Sequence, residues 1–237
     1  MIVLFDADSL IYASCLKKKE NENDDKFYLD IELSIHKFDE GFMSIINYLE
    51  EIYEINKVLV FSGSKGNFRK YISSKYKANR TNIDLPPLLN DMHKFVKDNY
   101  ESIVGYGVET DDMVAKYWYN LSKEYGRDSV IIVSIDKDYR QFPALIYNYH
   151  YNHKCVYDIS ESEAMYNFYE QMIIGDGADN VQYCKGYGKK YAEKLFKGCD
   201  SHYKYTKRVY ELFKKIHKGK AKQRYIECYN LLKLRTN

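Results

Sequence analysis

The chain has 237 residues, 45% of them hydrophobic, and a formal net charge of +2. That is enough for one α/β domain with a small helical extension. No apolar run approaches the roughly 20 residues that a membrane span needs, and the five scattered cysteines (Cys15, Cys155, Cys184, Cys199, Cys228) form no CxxC pair, which argues against a disulfide framework or a thiolate zinc site.

Residues 2–5 are a short β-branched apolar run that meets Asp6 at once, so they read as a buried strand and not as a signal peptide. With the cysteine pattern this gives an expected cytoplasmic location. Residues 17–26 are charged and Asn-rich and read as a loop. Residues 34–53 carry Ile35, Phe38, Phe42, Ile45, Ile46, Leu49 and Ile52 at helical spacing. Residues 58–61 read as a second strand, 87–100 as a helix, 103–106 as a third strand, 111–125 as a helix and 130–135 as a fourth strand. The stretch 147–157 reads as extended. Beyond Ser160 the chain turns helical, with a tight turn at Gly186 and Gly188 and successive helices at 189–197, 203–216 and 222–234. Strands alternating with helices imply a mostly parallel sheet covered on both faces.

The near-neutral charge conceals an asymmetry. From residue 201 onward eleven Lys or Arg face two acids, Glu211 and Glu227, a balance of +9, which leaves −7 on the first 200 residues. A basic end on an acidic body suggests one part that holds a polyanion and another that holds cations.

In parallel α/β sheets, ligands bind beyond the carboxyl ends of the strands. Asp6 and Asp8 follow the first strand, Glu109, Asp111 and Asp112 the third, and Asp136 and Asp138 the fourth. Carboxylates brought together raise one another's pKa, and a divalent ion removes the conflict. An all-oxygen donor set suits Mg²⁺ or Mn²⁺, and a pair of such ions suits phosphodiester hydrolysis. Any one of these acids could instead cap a helix, as Asp8 or the Asp111-Asp112 pair could. Three groups at three strand ends fit that reading poorly. The six His are dispersed, with neither metal spacing nor a Ser-containing elbow.

The runs Asp6-Ala7-Asp8-Ser9-Leu10-Ile11-Tyr12, Tyr76-Lys77-Ala78-Asn79-Arg80, Glu109-Thr110-Asp111-Asp112, Ser134-Ile135-Asp136-Lys137-Asp138 and Gly175-Asp176-Gly177-Ala178-Asp179-Asn180 resemble, in order and spacing, the 5′-nuclease family of flap endonucleases and 5′→3′ exonucleases. The short, Tyr- and Lys-rich chain looks most like the bacteriophage members. The resemblance implies a PIN-like catalytic domain over residues 1–158, with a small arch near 81–106. A helical DNA-binding region of the helix–turn–helix (H3TH) type would follow over 159–237. It implies that Asp6, Glu109, Asp111, Asp112, Asp136 and Asp138 hold metals, and it adds Asp176 and Asp179, which topology alone leaves on a loop. It places Lys77 and Arg80 near the scissile phosphate, and it makes K⁺ a candidate at the Gly186–Gly188 turn. The implied substrates are 5′ ends, flaps or RNA primers on DNA. The chain would act as a monomer alongside a replication polymerase or helicase, in the host cytoplasm if phage-encoded.

Two departures stand out. The family commonly has an aspartate just after the second strand, where this chain reads Phe61-Ser62-Gly63-Ser64. The Gly and Pro that precede the clamp turn are here Tyr183 and Lys185.

For nucleic acid, Gly186, Gly188, Lys189 and Lys190 could present backbone N–H groups and charge to a phosphate. A second cluster holds Arg69, Lys70, Lys75, Lys77 and Arg80 with Phe68, Tyr71 and Tyr76 interleaved, a mixture suited to a frayed strand. Of this cluster Arg69, Tyr76, Lys77 and Arg80 are the expected DNA contacts. Lys137, between two acids, could neutralise transition-state charge. The rival expectations are a PIN-type ribonuclease acting on single-stranded RNA, and a DNA-structure-binding protein with weakened catalysis.

Overall fold

The computed structural model describes residues 1–17, 26–80 and 84–236. Five strands form one sheet: β1 (Ile2–Asp6), β2 (Lys57–Phe61), β3 (Val130–Val133), β4 (Leu145–Asn148) and β5 (Cys155–Asp158). Their order is β2-β1-β3-β4-β5, parallel except for the antiparallel edge pair β4–β5. β1 sits in the interior of the sheet, and all four residues of β3 are buried. Unbroken β-branched runs are expected of strands covered on both faces.

Side chains alternate between those faces. Val3, Phe5, Val60, Ile131 and Val133 pack with Phe38, Phe42, Ile45, Ile46 and Leu49 of α2 (Ile31–Glu50) and with Met92 and Val96 of α4 (Leu89–Asn99). Leu4, Phe61, Val130 and Ile132 pack with Val114, Ala115 and Trp118 of α5 (Thr110–Tyr125). The side chain of Asp30 caps α2 by accepting from the N–H groups of Glu32 and Leu33 at 2.9 and 3.3 Å, which satisfies donors that a helix start leaves free. Short helices α1 (Asp8–Ser14) and α3 (Arg69–Ile72) follow β1 and β2.

A third core lies among α6 (Glu161–Ile174), α7 (Lys189–Leu195), α8 (His202–His217) and α9 (Ala221–Leu232). Helix α6 joins the two regions. Its Ala164 packs on the sheet side with Trp118 and Phe142, while its Phe168 and Met172 enter the helical core. Among the described residues no helix is long and apolar enough to cross a membrane.

Three expectations change. Residues 103–106 are not a strand of the sheet. They make only isolated bridges, Phe61 with Ile103 and Lys65 with Tyr106. Glycines interrupt the ladder: Gly107 has φ +73°, and a Cβ on Gly105 would lie 2.7 Å from Met113 Cγ. The acids at 109–112 therefore enter the site on the first turn of α5 and not from a strand end. The fourth strand stops at Val133. The segment 81–106, expected to be an arch, contains α4 over Leu89–Asn99, with Met92 and Val96 fully buried. An arch is thus confined to the chain before Leu89, of which residues 81–83 lie outside the described residues. Most of the expected loop at 17–26 lies outside them as well, between Leu16 and Phe27, which pair as an isolated bridge.

Replacing Phe168 with Ala empties the joint between the two regions. The expected cost is about 3–5 kcal/mol in denaturant unfolding. A cost below about 1 kcal/mol would show that α6 is not that joint.

Candidate functional site

The acids converge at the carboxyl edge of the sheet. An open cleft of about 330 Å³ is lined by Asp6, Asp8, Glu109, Asp111, Asp136, Asp138, Asp176 and Asp179, together with Lys77, Arg80 and Lys137. Eight carboxylates thus face three cations.

Asp6 ends β1, and its Oδ2 accepts from the Tyr139 hydroxyl at 2.8 Å and from Ser134 Oγ at 3.3 Å. Asp8 opens α1. Its Oδ1 accepts from the Gly63 N–H at 2.8 Å and its Oδ2 from the Thr110 hydroxyl at 2.7 Å. Asp136 and Asp138 sit on the 3-10 turn after β3, where the Asp138 N–H donates to Asp136 Oδ1 at 2.8 Å.

Asp176 and Asp179 follow α6. At Gly175, with φ +76°, a Cβ would lie 2.2 Å from the Val181 carbonyl. Only glycine allows α6 to turn so sharply into the Asp176–Val181 bridge. Gln171 of α6 donates to Asp138 Oδ1 at 2.7 Å and to Asp176 Oδ2 at 3.3 Å. The loop 75–80 is fastened to this turn: the Lys77 N–H donates to the Asp179 carbonyl at 2.9 Å, Asn79 to that of Gly177 at 2.9 Å, and Arg80 to that of Ala178 at 3.1 Å.

The charges are only partly compensated. Burial, then the charges of Asp8 and Asp136, push Asp6 up to about 7. Burial, then Asp136 and Asp176, push Asp138 up to about 7. Asp111 is raised by burial and by Asp112 and Glu109, and Asp136 is raised, mainly by burial. Burial would raise Glu109 too, but the Lys77 ammonium against it and the hydrogen bond from Tyr76 hold it below the ordinary range. Asp176 is likewise lowered against burial, by Lys137 at 2.9 Å.

Three expected residues are engaged in contacts inside the protein. Asp112 does not line the cleft, although a ligand atom of it lies within 4.8 Å of those of Glu109 and Asp111. It is 2% exposed, and both its oxygens are taken by the Arg69 guanidinium at 2.6 and 2.8 Å. Arg69, expected to contact DNA, is 1% exposed and unavailable to a phosphate. Tyr76, expected to stack on bases, is buried, and its hydroxyl donates to Glu109 or Asp179, at 2.8 and 2.6 Å.

Gly186, Gly188, Lys189 and Lys190 are exposed as expected, outside the cleft. Ser62 is buried with its hydroxyl on that of Ser102 at 2.7 Å. The strand end that lacks an acid is thus met by Asp8, through Gly63. Sequence reasoning missed Tyr139, Thr110 and Gln171. Their signal is only proximity in sequence to the acids, two of them beside an Asp motif and one five residues before Asp176.

Residues 1–169 match the family described as 5′-3′ exonuclease, N-terminal resolvase-like domain. The chain belongs to this family. Two curated relatives, each described as a 5′-3′ exonuclease, come from Buchnera aphidicola. That of the subspecies Schizaphis graminum is 26% identical over 187 residues, 73% of this chain and 62% of its own length. That of Acyrthosiphon pisum is 24% identical over 156 residues, 60% of this chain and 53% of its own length. The matches span little more than half the length of these relatives.

Solved structures share the fold. A T5 5′-exonuclease with divalent metal ions (zinc) bound superposes with TM-score 0.61 at 18% identity, covering 98% of this chain and 86% of its own. A bacteriophage T5 flap endonuclease in a pseudo-enzyme–product complex with DNA and metal ions gives 0.58 at 16% identity, with 98% of each chain covered. A mixed, mostly parallel sheet flanked by helices, with a helical C-terminal region, is the fold that this chain shares with them.

The raised carboxyl groups set a pH dependence. Between the ordinary value of 3.8 and about 7, folded Asp6 and Asp138 bind more protons than in the unfolded chain. Without metal, stability should therefore fall as pH rises through this window. Glu109 and Asp176 are lowered, so their contribution is present above the ordinary carboxylate range and lost only in stronger acid. The thermal midpoint in EDTA should be lower at about pH 8 than at about pH 5.5, and Mg²⁺ should abolish the difference. A midpoint in EDTA that rises over this interval would contradict the assignment.

Proposed function

We propose that this chain is a divalent-metal-dependent, structure-specific 5′ nuclease that hydrolyses phosphodiesters at 5′ ends or flaps of DNA, RNA primers included. The observation that carries the reading is the convergence of eight carboxylates, from β1, α1, the start of α5, the turn after β3 and the loop after α6, on one open cleft with three cations. The donor set is all oxygen, and Asp6, Asp111, Asp136 and Asp138 are held above their ordinary pKa by burial and mutual repulsion. Hard cations relieve that conflict, so Mg²⁺ or Mn²⁺ fits.

Asp6, Asp8, Glu109, Asp111, Asp136, Asp138, Asp176 and Asp179 would hold two such ions. Bound there, the ions would supply Lewis acidity and lower the pKa of a nucleophilic water. The remaining chemistry belongs to the chain. Lys77 is held between Glu109 and Asp179, and their charges keep it protonated against burial. Arg80 reaches Asp179 at 2.9 Å with its side chain half-exposed. Both can turn from these acids to the scissile phosphate, one as a point charge and the other as a planar fork. Lys137, on Asp176, stands ready to neutralise charge as the bond breaks. The cleft is complete within one chain, which suits a monomer.

The helical region would act as an H3TH-type clamp. Gly186, with φ +89°, and Gly188 have open space around them, and Lys189 and Lys190 start α7. Duplex phosphate and a K⁺ ion are the proposed occupants of this turn. Lys207, Arg208, Lys215, Lys218, Lys220 and Lys222 extend the basic surface along α8 and α9. Together the cleft and the basic surface suit a 5′ end presented by a duplex, as replication polymerases and helicases generate.

The test is incubation of a 5′-flap DNA, a nicked duplex and a single-stranded RNA with Mg²⁺ or EDTA. The flap and nick should be cut only with metal, and the double variant Asp136→Ala/Asp138→Ala should yield no product. Exclusive cleavage of the RNA would favour a PIN-type ribonuclease, and flap binding without cleavage in Mn²⁺ a binding protein. In a second measurement, Lys77→Ala should lower single-turnover cleavage on the order of 10²-fold while flap affinity changes little. An equal loss in affinity would assign Lys77 to ground-state binding instead.

A further inference from the structure

Arg69 is 1% exposed. Its side chain is one of the largest fully buried in the molecule, and an arginine in that position must satisfy five N–H donors. All five have acceptors. Nε donates to the Leu231 carbonyl at 3.0 Å. Nη1 donates to Glu109 Oε2 at 2.9 Å and to Asp112 Oδ2 at 2.6 Å. Nη2 donates to Asp112 Oδ1 at 2.8 Å and to the Lys233 carbonyl at 3.0 Å. The same Asp112 accepts from the Glu109 N–H at 3.2 Å and from the Arg235 N–H at 2.9 Å.

Asp112 therefore has no lone pair directed to the cleft. Its Oδ2 serves Arg69 and the Glu109 backbone, and its Oδ1 serves Arg69 and the Arg235 backbone. Glu109 differs: Oε2 meets Arg69 and Tyr76, while Oε1 faces the cleft and the Lys77 ammonium. Asp111 lines the cleft, and among the described residues no cation is bonded to it. The fork thus fixes the first turn of α5 from behind, with Glu109 and Asp111 in front.

We propose that Arg69 is a positioning residue for the metal ligands: its guanidinium, bidentate on Asp112, fixes Glu109 and Asp111 in ligating geometry, and Asp112 orients the cluster without ligating an ion. This rests on the reading of the cleft as a divalent-cation site. Partners behind metal ligands govern affinity through geometry, and their loss costs on the order of 10–100-fold in metal binding. Lysine keeps the charge at this position but cannot reproduce a planar five-donor fork. Asparagine at 112 keeps the shape but loses the charge and one acceptor.

The experiment is Mn²⁺ titration of the metal-free protein without DNA, followed by electron paramagnetic resonance, which reads affinity and ion number independently of turnover. Wild type, Arg69→Lys, Asp112→Asn and Asp111→Asn are compared, with circular dichroism to confirm folding. Arg69→Lys and Asp112→Asn should weaken Mn²⁺ binding on the order of 10–100-fold while reaching the wild-type number of ions at saturation. Cleavage by both should recover as Mn²⁺ is raised. Asp111→Asn should bind fewer ions at saturation and should not recover.

Folded Arg69→Lys and Asp112→Asn proteins with wild-type affinity would overturn the proposal and leave Arg69 a fold-stabilising residue. Asp112→Asn losing an ion, as Asp111→Asn does, would overturn it by making Asp112 a ligand. Should Arg69→Lys not fold, Asp112→Asn alone decides between these outcomes. Wild type that binds no Mn²⁺ would remove both the proposal and the metal reading beneath it, whereas wild-type binding with unaffected variants removes only the proposal.

Discussion

Eight carboxylates in one cleft repel one another, and the rest of the structure is arranged around that repulsion. Charges a few ångströms apart in a partly buried site interact by several kcal/mol. Burial first, and the charges of neighbouring acids second, push Asp6 and Asp138 up to about 7. The fold nevertheless delivers five chain segments to the same place. Holding them there demands rigid attachment behind the acids, because nothing among the acids themselves is attractive.

The attachments are specific. Tyr139 and Ser134 hold Asp6, the Gly63 N–H and Thr110 hold Asp8, and Gln171 bridges Asp138 and Asp176. Tyr76 joins Glu109 to Asp179, which come from the sheet region and the helical region respectively. Arg69 closes the same joint from the other side, reaching carbonyls at residues 231 and 233. Breaking a buried ion pair by removing one partner costs about 3–5 kcal/mol, because a charge is left without compensation. Stability and the geometry of the carboxylate cleft therefore share the same residues. The position after β2 reads Ser62-Gly63-Ser64, with no acid, and the Asp8 carboxylate is anchored to that strand end through the Gly63 N–H.

The sequence made part of this legible. The unbroken apolar runs of β1, β2 and β3 locate the sheet, and a parallel sheet dictates which ends carry ligands, so Asp6, Asp136 and Asp138 follow from topology. Asp176 and Asp179 do not, because their placement depends on a sharp turn at Gly175 whose necessity appears only when the Val181 carbonyl is seen against it. Residues 103–106 have the composition of a strand, but Gly105 and Gly107 break the pairing. The burial of Arg69 and Tyr76 is hidden from local pattern for a common reason. A basic and aromatic cluster looks like a surface, and the partners that bury it lie far away in sequence: Asp112 is 43 residues from Arg69, and the Lys233 carbonyl is 164. Local pattern carries no information about such contacts.

Crystals of the protein soaked in Mn²⁺ show most directly whether the acidic cleft is a divalent-metal site. Anomalous difference maps should show Mn²⁺ peaks within the cleft, with oxygens of Asp6, Glu109, Asp111, Asp136 or Asp138 at bonding distance, and Asp112 still paired with Arg69. A cleft without anomalous density at saturating Mn²⁺, its carboxylates undisplaced and still paired with Lys77, Arg80 and Lys137, would contradict the account.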